Sequence, residues 1–388
     1  MKMAIIPGTF FPDPGGAQVQ AHNLANKLCE TGNSTDIILL NKTDIIKKKY
    51  KIIYLNKILI NTLFIFHYYL KTDLTFLLQP YLKRLIIKNK YKIWHFIFTN
   101  YKSLLIINIL KKLDQKIIIT FQGADIQIDK KIQYGNRLDT KYEVLLKKTL
   151  KNVDLFTAIS KNIVKDLRKL NINSNKIIEI PNGTLVSKVL NIKKIFNKQN
   201  NKILKIITVA RYANKKKGFD LVKKIIKGLV AKKIIFKWTI IGKNTSILLK
   251  DNYNYKNKDS LNIIENISSK NEMYFPNSKI FKCYLESDIY LNLSRIESFG
   301  ITFIEALSCN LPIITFDRKG ANEIVRDKYN GFKIKNNDYK KFINYLIFFK
   351  NNKKYLKKNP FLSSKKYDLD NLVKKYIKIY SNLIDSGK

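Results

Sequence analysis

The nine residues Glu297-Ser298-Phe299-Gly300-Ile301-Thr302-Phe303-Ile304-Glu305 carry the strongest local signal in the 388-residue chain. They follow an apolar run, Ile289–Leu293, that predicts a buried strand, and they lead into a helix that Pro312 would stop. We expect Glu297 in the loop between strand and helix and Ser298 as the residue that caps the helix. Gly300 would allow the backbone to approach a ligand closely.

This segment suits a ligand that carries both an anion and hydroxyl groups. The free amides of residues 299–301, at the positive end of a helix, would bind the anion. Glu305 lies about two helical turns beyond the loop, so both carboxylates can face one cleft and accept hydrogen bonds from hydroxyls. A sugar nucleotide offers both kinds of group. The alternative is a capped helix with two surface acids.

Strand-like and helix-like segments alternate along the rest of the chain, a pattern typical of parallel α/β architecture. A Lys- and Asn-rich stretch, 184–201, separates two such series. We therefore predict doubly wound domains over residues 1–183 and 202–365, a linker between them, and a C-terminal segment, 366–388, that is largely helical. The predicted strands are Met3–Ile6, Asp36–Leu40, Lys92–Phe98, Lys116–Thr120, Leu155–Ala158, Lys176–Ile180, Lys205–Ala210, Lys237–Ile241, Ile289–Leu293 and Leu311–Phe316.

Further motifs accompany the Glu297–Glu305 segment between residues 3 and 332. They are Pro14-Gly15-Gly16-Ala17-Gln18-Val19, Thr157-Ala158-Ile159-Ser160, Ile180-Pro181-Asn182-Gly183, Ala210-Arg211-Tyr212, Lys217-Gly218-Phe219-Asp220, Gly320-Ala321-Asn322-Glu323-Ile324-Val325 and Asn330-Gly331-Phe332. The set and its order resemble the retaining GT-B glycosyltransferases of family 4. The resemblance implies two Rossmann-like domains facing a central cleft and a C-terminal helix that crosses back to the N-terminal domain.

The resemblance also implies roles for particular residues. Arg211 and Lys217 would bind the donor diphosphate and offset the charge that develops on the leaving nucleotide. Lys216 is the near alternative to Lys217, because the spacing from the arginine is one residue longer than usual. Glu297 would bind hydroxyls of the donor sugar. These roles assign Glu297, Arg211 and Lys217 to catalysis and a further set to donor binding: Gly15, Gly16, Gln122, Lys216, Ser298, Phe299, Gly300, Ile301 and Glu305, the last on the ribose.

One position departs from the family pattern. Many members have a His-Gly pair at a strand end where this chain has Gln122-Gly123. A glutamine can donate and accept hydrogen bonds but cannot act as a base near neutral pH. In the mechanism that the resemblance implies, the leaving phosphate takes the acceptor's proton, so no protein base is needed there and we expect an active enzyme. The alternative is a weakened or inactive copy.

The chain carries 73 Lys plus Arg against 29 Asp plus Glu, a formal net charge of +44. Such a charge fits a polyanion partner. Only seven of these cations are arginine, however, although arginine binds phosphate best through its planar fork. We attribute most of the charge to a coding bias towards Lys, Ile and Asn. Two alternatives to the transferase remain: a basic nucleic-acid-binding protein and a sugar-nucleotide epimerase of the same fold.

The segment 55–87 is dense in Ile, Leu, Phe and Tyr with interspersed cations, which is typical of helices at an anionic membrane surface. Ordinary packing helices are the alternative. No secretory signal and no apolar run of about 18 residues is present, so we expect a cytoplasmic protein, peripheral at the inner face of the plasma membrane. We expect no cofactor, metal or nucleic acid. The partners would be a UDP- or GDP-linked sugar donor and a glycan or lipid-linked acceptor, in bacterial cell-surface polysaccharide, lipopolysaccharide or glycolipid synthesis.

Overall fold

The computed structural model describes residues 1–11, 15–45, 47–194, 203–250, 260–265, 272–335, 338–352 and 355–386. The chain forms two compact units. The first comprises Met1–Asn182, Lys270–Phe275 and Asp370–Lys388, and the second comprises Gly183–Ser269 and Pro276–Leu369.

The first unit contains a seven-stranded parallel sheet. Its strands are β1 (Lys2–Pro7), β2 (Ser34–Leu39), β3 (Lys51–Tyr54), β4 (Ile93–Ile97), β5 (Ile117–Phe121), β6 (Leu155–Ala158) and β7 (Ile177–Glu179), in the order β3-β2-β1-β4-β5-β6-β7. Its helices are α1 (Gly16–Glu30), α2 (Lys57–Tyr68), α3 (Leu78–Asn89), α4 (Tyr101–Lys112), α5 (Thr140–Leu150) and α6 (Lys161–Lys169). The C-terminal helix, Leu369–Asp385, belongs to this unit from Asp370 onward.

The second unit contains a six-stranded parallel sheet in the order β10-β9-β8-β11-β12-β13. Its strands are β8 (Leu204–Val209), β9 (Phe236–Ile241), β10 (Leu261–Ile264), β11 (Ile289–Asn292), β12 (Ile313–Phe316) and β13 (Gly331–Ile334). Its helices are α7 (Val186–Lys194), α8 (Asn214–Lys217), α9 (Val222–Ala231), α10 (Ile247–Lys250), α11 (Ser278–Glu286), α12 (Ile301–Ser308), α13 (Lys319–Ile324), α14 (Tyr339–Asn351) and α15 (Asn359–Ser364). The C-terminal helix, which belongs to the first unit from Asp370 onward, is numbered α16.

The central strands are buried on both faces, as expected for parallel sheets covered by helices. Every residue of β4 and β5 is buried. A polar group inside β4 is satisfied from α16 and from β5: the two ring nitrogens of His95 lie 2.7 Å from the Tyr380 hydroxyl and 2.6 Å from Thr120 Oγ1, respectively. Burial lowers the pKa of His95 to about 3, so the imidazole is neutral and serves packing. This bond attaches the C-terminal helix to the first sheet.

The two parallel α/β domains confirm the predicted fold class, with two local differences. The segment predicted as a linker forms α7 over Val186–Lys194, because Val186, Val189 and Ile192 recur at helical spacing and are buried. Residues 195–201 of the predicted linker lie outside the described residues. Three strands were not predicted: β3, β10 and β13. All three are sheet edges and are short, four residues each.

Both sheets reverse their strand order once, between β1 and β4 and between β8 and β11. In open parallel sheets, the loops beyond the carboxyl ends of the strands at such a reversal diverge and leave a crevice for ligands. The loops after β8 and β11 hold Arg211 and Glu297, and the loop after β1 leads to Gly15 and Gly16.

Candidate active site

The loop after β8 leads to a short helix that positions a lysine. Helix α8 ends at Lys217, and Gly218 follows in the left-handed conformation with φ of 71°. A Cβ on Gly218 would lie 2.0 Å from the carbonyl oxygen of Leu293, in the loop after β11. Only glycine fits this position. The tight contact brings the end of α8 against the loop that carries Glu297.

Lys217 and Glu297 form an ion pair across these two loops. The Lys217 Nζ donates a hydrogen bond of 2.6 Å to Glu297 Oε1, and the two side chains are 18% and 14% exposed. Burial acts to raise the pKa of Glu297, but the Lys217 ammonium, with help from the Ser294 side chain and Lys216, lowers it below its usual range. Glu297 is therefore an ionised hydrogen-bond acceptor that is largely withdrawn from water.

Two more cations accompany this pair. Burial, together with repulsion from Lys217 and Arg211, lowers the pKa of Lys216 to about 8, although the Glu297 carboxylate opposes the shift. The Arg211 side chain, two residues beyond β8, is exposed. Lys216 and Lys217 thus act on the Glu297 carboxylate at the carboxyl edge of the second sheet, and Arg211 lies close enough to Lys216 to repel it. A positive cluster of this kind can bind a diphosphate.

The helix α12 begins later than the sequence indicated. Its N-cap is Gly300, with φ of 90°, and a Cβ there would lie 2.4 Å from the Phe303 ring. Ser298 stands two residues before the cap, so the expectation that Ser298 caps the helix is wrong. The Glu297 carbonyl is fixed instead by the backbone N–H of Gly320, at 3.0 Å. Within the described parts of the chain, the backbone N–H groups of residues 299–301 donate to no protein acceptor.

Glu305 lies on α12 and is almost completely buried, at 5% exposure. Tyr284, on α11, donates a hydrogen bond of 2.9 Å to Glu305 Oε2. Burial raises the pKa of Glu305 to about 8, and the bond from Tyr284 only partly opposes this. Nothing in the local sequence indicated Tyr284 as a partner, because it lies 21 residues earlier on another helix.

The glycine loop of the first unit ends at the start of α1. Gly15 is the N-cap, in an extended conformation, and Gly16 is the first helical residue. A Cβ on Gly15 would meet the end of the Gln18 side chain at 2.7 Å, which is a flexible group that can move. Gln18 is itself hydrogen-bonded to Thr9. Pro14 lies outside the described residues.

Gln122 follows β5 directly, and its surroundings are rigid. Asp125 accepts hydrogen bonds from the backbone N–H groups of Thr99, Gln122 and Gly123 at 2.8 to 3.3 Å. Burial raises the pKa of Asp125 to about 7 against these bonds. The side chain of Gln122 is hydrogen-bonded to that of Asn182.

Two family models match the sequence. The model described as "Glycosyltransferase Family 4" matches residues 14–187, and the model described as "Glycosyl transferases group 1" matches residues 191–359. The chain belongs to these glycosyltransferases. Of the three functions that the sequence left open, the matches favour the transferase. Its domains are the two parallel α/β domains of the GT-B fold.

Individual relatives cover most of this glycosyltransferase. N-acetyl-alpha-D-glucosaminyl L-malate synthase of Bacillus anthracis is 21% identical over 335 residues, 84% of this chain and 81% of that protein. An uncharacterized 41.2 kDa protein in the cps region of Klebsiella pneumoniae is 24% identical over 294 residues, 72% of this chain and 75% of that protein. The crystal structure of Anabaena HepE in complex with UDP and glucose matches with a TM-score of 0.69 at 13% identity, over 98% of this chain and 99% of that one.

The site residues that were predicted from the sequence of this glycosyltransferase lie in two groups, one at each sheet. Arg211, Lys216, Lys217, Glu297 and residues 298–301 lie at the carboxyl edge of the second sheet, with Glu305 buried on the helix that follows. Gly15, Gly16 and Gln122 lie beyond strands of the first sheet. The residues that sequence reasoning missed are the buried partners, Tyr284 and Ser294. Among the described residues, no group of three or more His, Cys, Asp or Glu could hold a metal, and no helix is long and apolar enough to span a membrane.

Proposed function

We propose that this glycosyltransferase moves a sugar from a nucleoside-diphosphate donor to an acceptor hydroxyl with retention of the anomeric configuration. The observation that carries the proposal is the 2.6 Å Lys217–Glu297 ion pair at the carboxyl edge of the second sheet, beside Lys216 and Arg211. Binding of a nucleoside-diphosphate sugar requires cations for the phosphates and an ionised hydrogen-bond acceptor for the sugar hydroxyls. The cluster offers both, and the pair holds them together.

Each residue then has a chemical task. Arg211 and Lys217, with Lys216, bind the diphosphate and stabilise the negative charge that grows as the bond to the sugar breaks. Residues 298–301 add backbone N–H groups at the start of α12. Glu297 accepts hydrogen bonds from the donor sugar, and Glu305 accepts them from the ribose. Gly15, Gly16 and Gln122 also take part in donor binding.

In the proposed reaction, the bond between the anomeric carbon and the phosphate oxygen breaks and its electron pair stays on the phosphate. The acceptor oxygen forms the new bond on the same face of the sugar, and its proton passes to the departing phosphate oxygen. No protein base is needed at this point. A glutamine at position 122 is compatible with this route, because it orients hydroxyls without exchanging a proton.

The relatives guide the choice of donor and acceptor to be tested. HepE binds UDP and glucose, so UDP-linked sugars are the first candidates, with GDP-linked sugars as the alternative. The malate synthase is named for a small acceptor, and the Klebsiella protein for a cps region. We propose a glycan or lipid-linked acceptor in bacterial cell-surface polysaccharide or glycolipid synthesis, at the cytoplasmic face of the membrane.

A donor screen tests the function. Purified protein is incubated with UDP- and GDP-linked sugars and lipid-linked or glycan acceptors, and products are detected by mass spectrometry, with NMR of the anomeric proton to determine the stereochemistry. We expect product from one donor class, with retention, and its loss in Glu297→Ala. Turnover that is unchanged in Glu297→Ala would refute the assigned role of Glu297, and an inverted product would refute the mechanism.

A surface of the first unit supports the membrane part of the proposal. On α2 and the residue after it, Ile58, Ile65 and Tyr69 are spaced by seven and four residues and therefore share one face. They are 80%, 48% and 62% exposed, whereas only Ile60 and Leu63 of this helix are buried. The segment from α2 to α3 carries further exposed apolar residues and cations, and we call the whole exposed set the α2–α3 surface; the further residues are Leu70, Phe76, Leu77, Ile87, Lys57, Lys71, Lys83 and Arg84.

Exposed large apolar side chains among lysines suit the interface of an anionic bilayer, where apolar burial and charge attraction add. We expect the protein to sediment with vesicles of phosphatidylglycerol and phosphatidylcholine but not with phosphatidylcholine alone, and to be released as salt rises. Ile58→Asp should weaken binding at least about tenfold, since burying one such side chain contributes about 1.5–3 kcal/mol. The matched control is Ile235→Asp, at 62% exposure on the second unit. An equal loss of vesicle binding in both variants would show that the α2–α3 surface is not the membrane-binding site.

A further inference from the structure

The side chains of Gln122 and Asn182 form a reciprocal pair of hydrogen bonds. Gln122 Nε2 donates to Asn182 Oδ1 at 3.3 Å, and Asn182 Nδ2 donates to Gln122 Oε1 at 2.9 Å. The residues are 60 positions apart, after β5 and β7, with β6 between those strands in the sheet. Asn182 is only 7% exposed, whereas Gln122 is half-buried. One partner is thus fixed inside the protein and the other reaches towards solvent.

The backbone of Gln122 is fixed separately. The fully buried Asp125 carboxylate accepts hydrogen bonds from the backbone N–H groups of Thr99, Gln122 and Gly123. These bonds hold the loop at the carboxyl end of β5 but leave the Gln122 side chain free to rotate. The pair with Asn182 removes that freedom. The backbone of Gln122 is therefore held by Asp125 and its side chain by Asn182. A substitution at Asn182 can release the side chain while the backbone stays in place.

The Gln122 carboxamide keeps some of its hydrogen-bonding groups available for a ligand. A carboxamide has two N–H groups and two oxygen lone pairs, and the pair uses one of each. Within the described residues the Gln122 side chain makes no other hydrogen bond. One donor and one acceptor are therefore left, and the count is the same if both amides are turned over. A neutral imidazole held by two such bonds would keep neither, because it has one donor and one acceptor in total.

We propose that Asn182 is a positioning residue: its carboxamide holds the Gln122 carboxamide so that one N–H and one oxygen lone pair of Gln122 are presented to hydroxyl groups of the donor sugar. The inference rests on the proposed function, since it names the sugar of the donor as the group contacted. Asn182 acts only through Gln122 and does not touch the sugar itself.

The test is a double-mutant cycle with Gln122→Ala, Asn182→Ala and the double variant. Binding of UDP-glucose, GDP-mannose, UDP and GDP is measured by calorimetry, and kcat/KM is measured with the donor that turns over. Losing one hydrogen bond that orients a substrate should cost about tenfold. We expect each single variant to lose about tenfold in sugar-nucleotide affinity or kcat/KM while the free nucleotide binds as before. The double variant should be no worse than Gln122→Ala to within about twofold, because coupled residues are not additive.

Two controls separate positioning from folding. Asn108→Ala removes another half-buried amide, which donates 3.0 Å to Thr149 Oγ1 on the helices α4 and α5, and should leave donor affinity unchanged. If Asn182→Ala does not fold, Asn182→Asp replaces it; the carboxylate can accept from Gln122 but cannot donate back, so it should show the same selective loss.

Additive losses in the cycle would overturn the inference and leave the proposed function intact. The inference is equally wrong if Asn182→Ala weakens UDP or GDP as much as the sugar nucleotide. If the wild-type protein binds none of the four ligands, the proposed donor class is wrong and the inference falls with it.

Discussion

Replacing Lys217 by methionine isolates the ion pair at the centre of the site. Methionine keeps most of the apolar stem and removes the ammonium that lies 2.6 Å from Glu297 Oε1. Removing one member of a buried pair costs about 3–5 kcal/mol, because the other charge is left without a partner. Glu297 retains 14% exposure and still interacts with Lys216, so we expect a loss at or below the lower limit of that range, about 2–3 kcal/mol in the free energy of unfolding.

The pH dependence of this loss has a definite sign. In the wild type the pKa of Glu297 is below its ordinary value, so the pair adds stability above the ordinary carboxyl pKa and loses it as pH falls through the lowered pKa. Without Lys217, burial dominates and raises the pKa of Glu297 above its ordinary value. The variant is then penalised increasingly as pH rises through the raised pKa. We expect the gap between wild type and Lys217→Met to be wide near pH 8 and narrow near pH 5.

Urea unfolding followed by tryptophan fluorescence measures this gap. Trp94 lies in the first unit and Trp238 in the second, and both are fully buried. In a Trp94→Phe background, Trp238 alone reports on the unit that contains the pair. Lys227→Met, at an exposed lysine of α9, is the matched control and should change stability by less than about 0.5 kcal/mol.

A neutral pair separates stability from activity. Lys217→Met combined with Glu297→Gln leaves no unpaired charge, so the double variant should regain most of the lost stability while sugar transfer stays abolished. A penalty that does not change between pH 5 and pH 8, or a double variant as unstable as Lys217→Met, would refute the electrostatic account of the pair.

Two further variants test other parts of the same unit. Tyr284→Phe removes the hydrogen bond to Glu305, whose pKa burial already raises to about 8. If the ribose binds the ionised form, nucleotide affinity rises with pH through about 8 in the wild type. The variant should move this rise to higher pH and bind about fivefold more weakly at pH 7.5 by calorimetry; an unchanged pH profile would argue against the role of Glu305. Gly218→Ala should lose about 1–3 kcal/mol by thermal unfolding and raise the donor KM, because its Cβ would lie 2.0 Å from the Leu293 carbonyl oxygen. Wild-type stability would contradict the close approach.

The interior strands of both sheets could be predicted from the sequence because their local composition is strongly apolar. Strands such as β4, β5 and β11 are buried on both faces, so they appear as continuous apolar runs. The edge strand β3 reads Lys-Ile-Ile-Tyr and is half-exposed, and β10 is half-buried throughout. Their pairing is supplied by one neighbouring strand and not by a local pattern. Three of the four edge strands, β3, β10 and β13, were therefore missed, while the edge strand β7 and the interior strands were predicted.

The candidate site, like the fold, could be predicted only in part from the sequence. Its charged residues stand in short motifs, whereas their partners are brought together only by the fold. Ser298 illustrates the limit: a serine before an apolar helix is the usual cap, but the close contact of Phe303 with Gly300 makes the glycine the cap. Tyr284 has no motif at all, since it reaches Glu305 from a different helix.

Lys216 and Lys217 are less exposed than most lysines of this chain, whereas the third cation of the site, Arg211, is exposed. Most of the +44 charge is carried by exposed side chains, whose attraction to an anionic surface is screened at physiological salt. Lys216 and Lys217 are partly withdrawn from water, and the lowered pKa of Lys216 reflects repulsion within the cluster as well as burial. A diphosphate bound as proposed would relieve that repulsion. Added salt should therefore weaken the proposed membrane binding of the exposed α2–α3 surface strongly and the proposed diphosphate binding by Lys216 and Lys217 much less, because salt screens exposed charges more than partly buried ones.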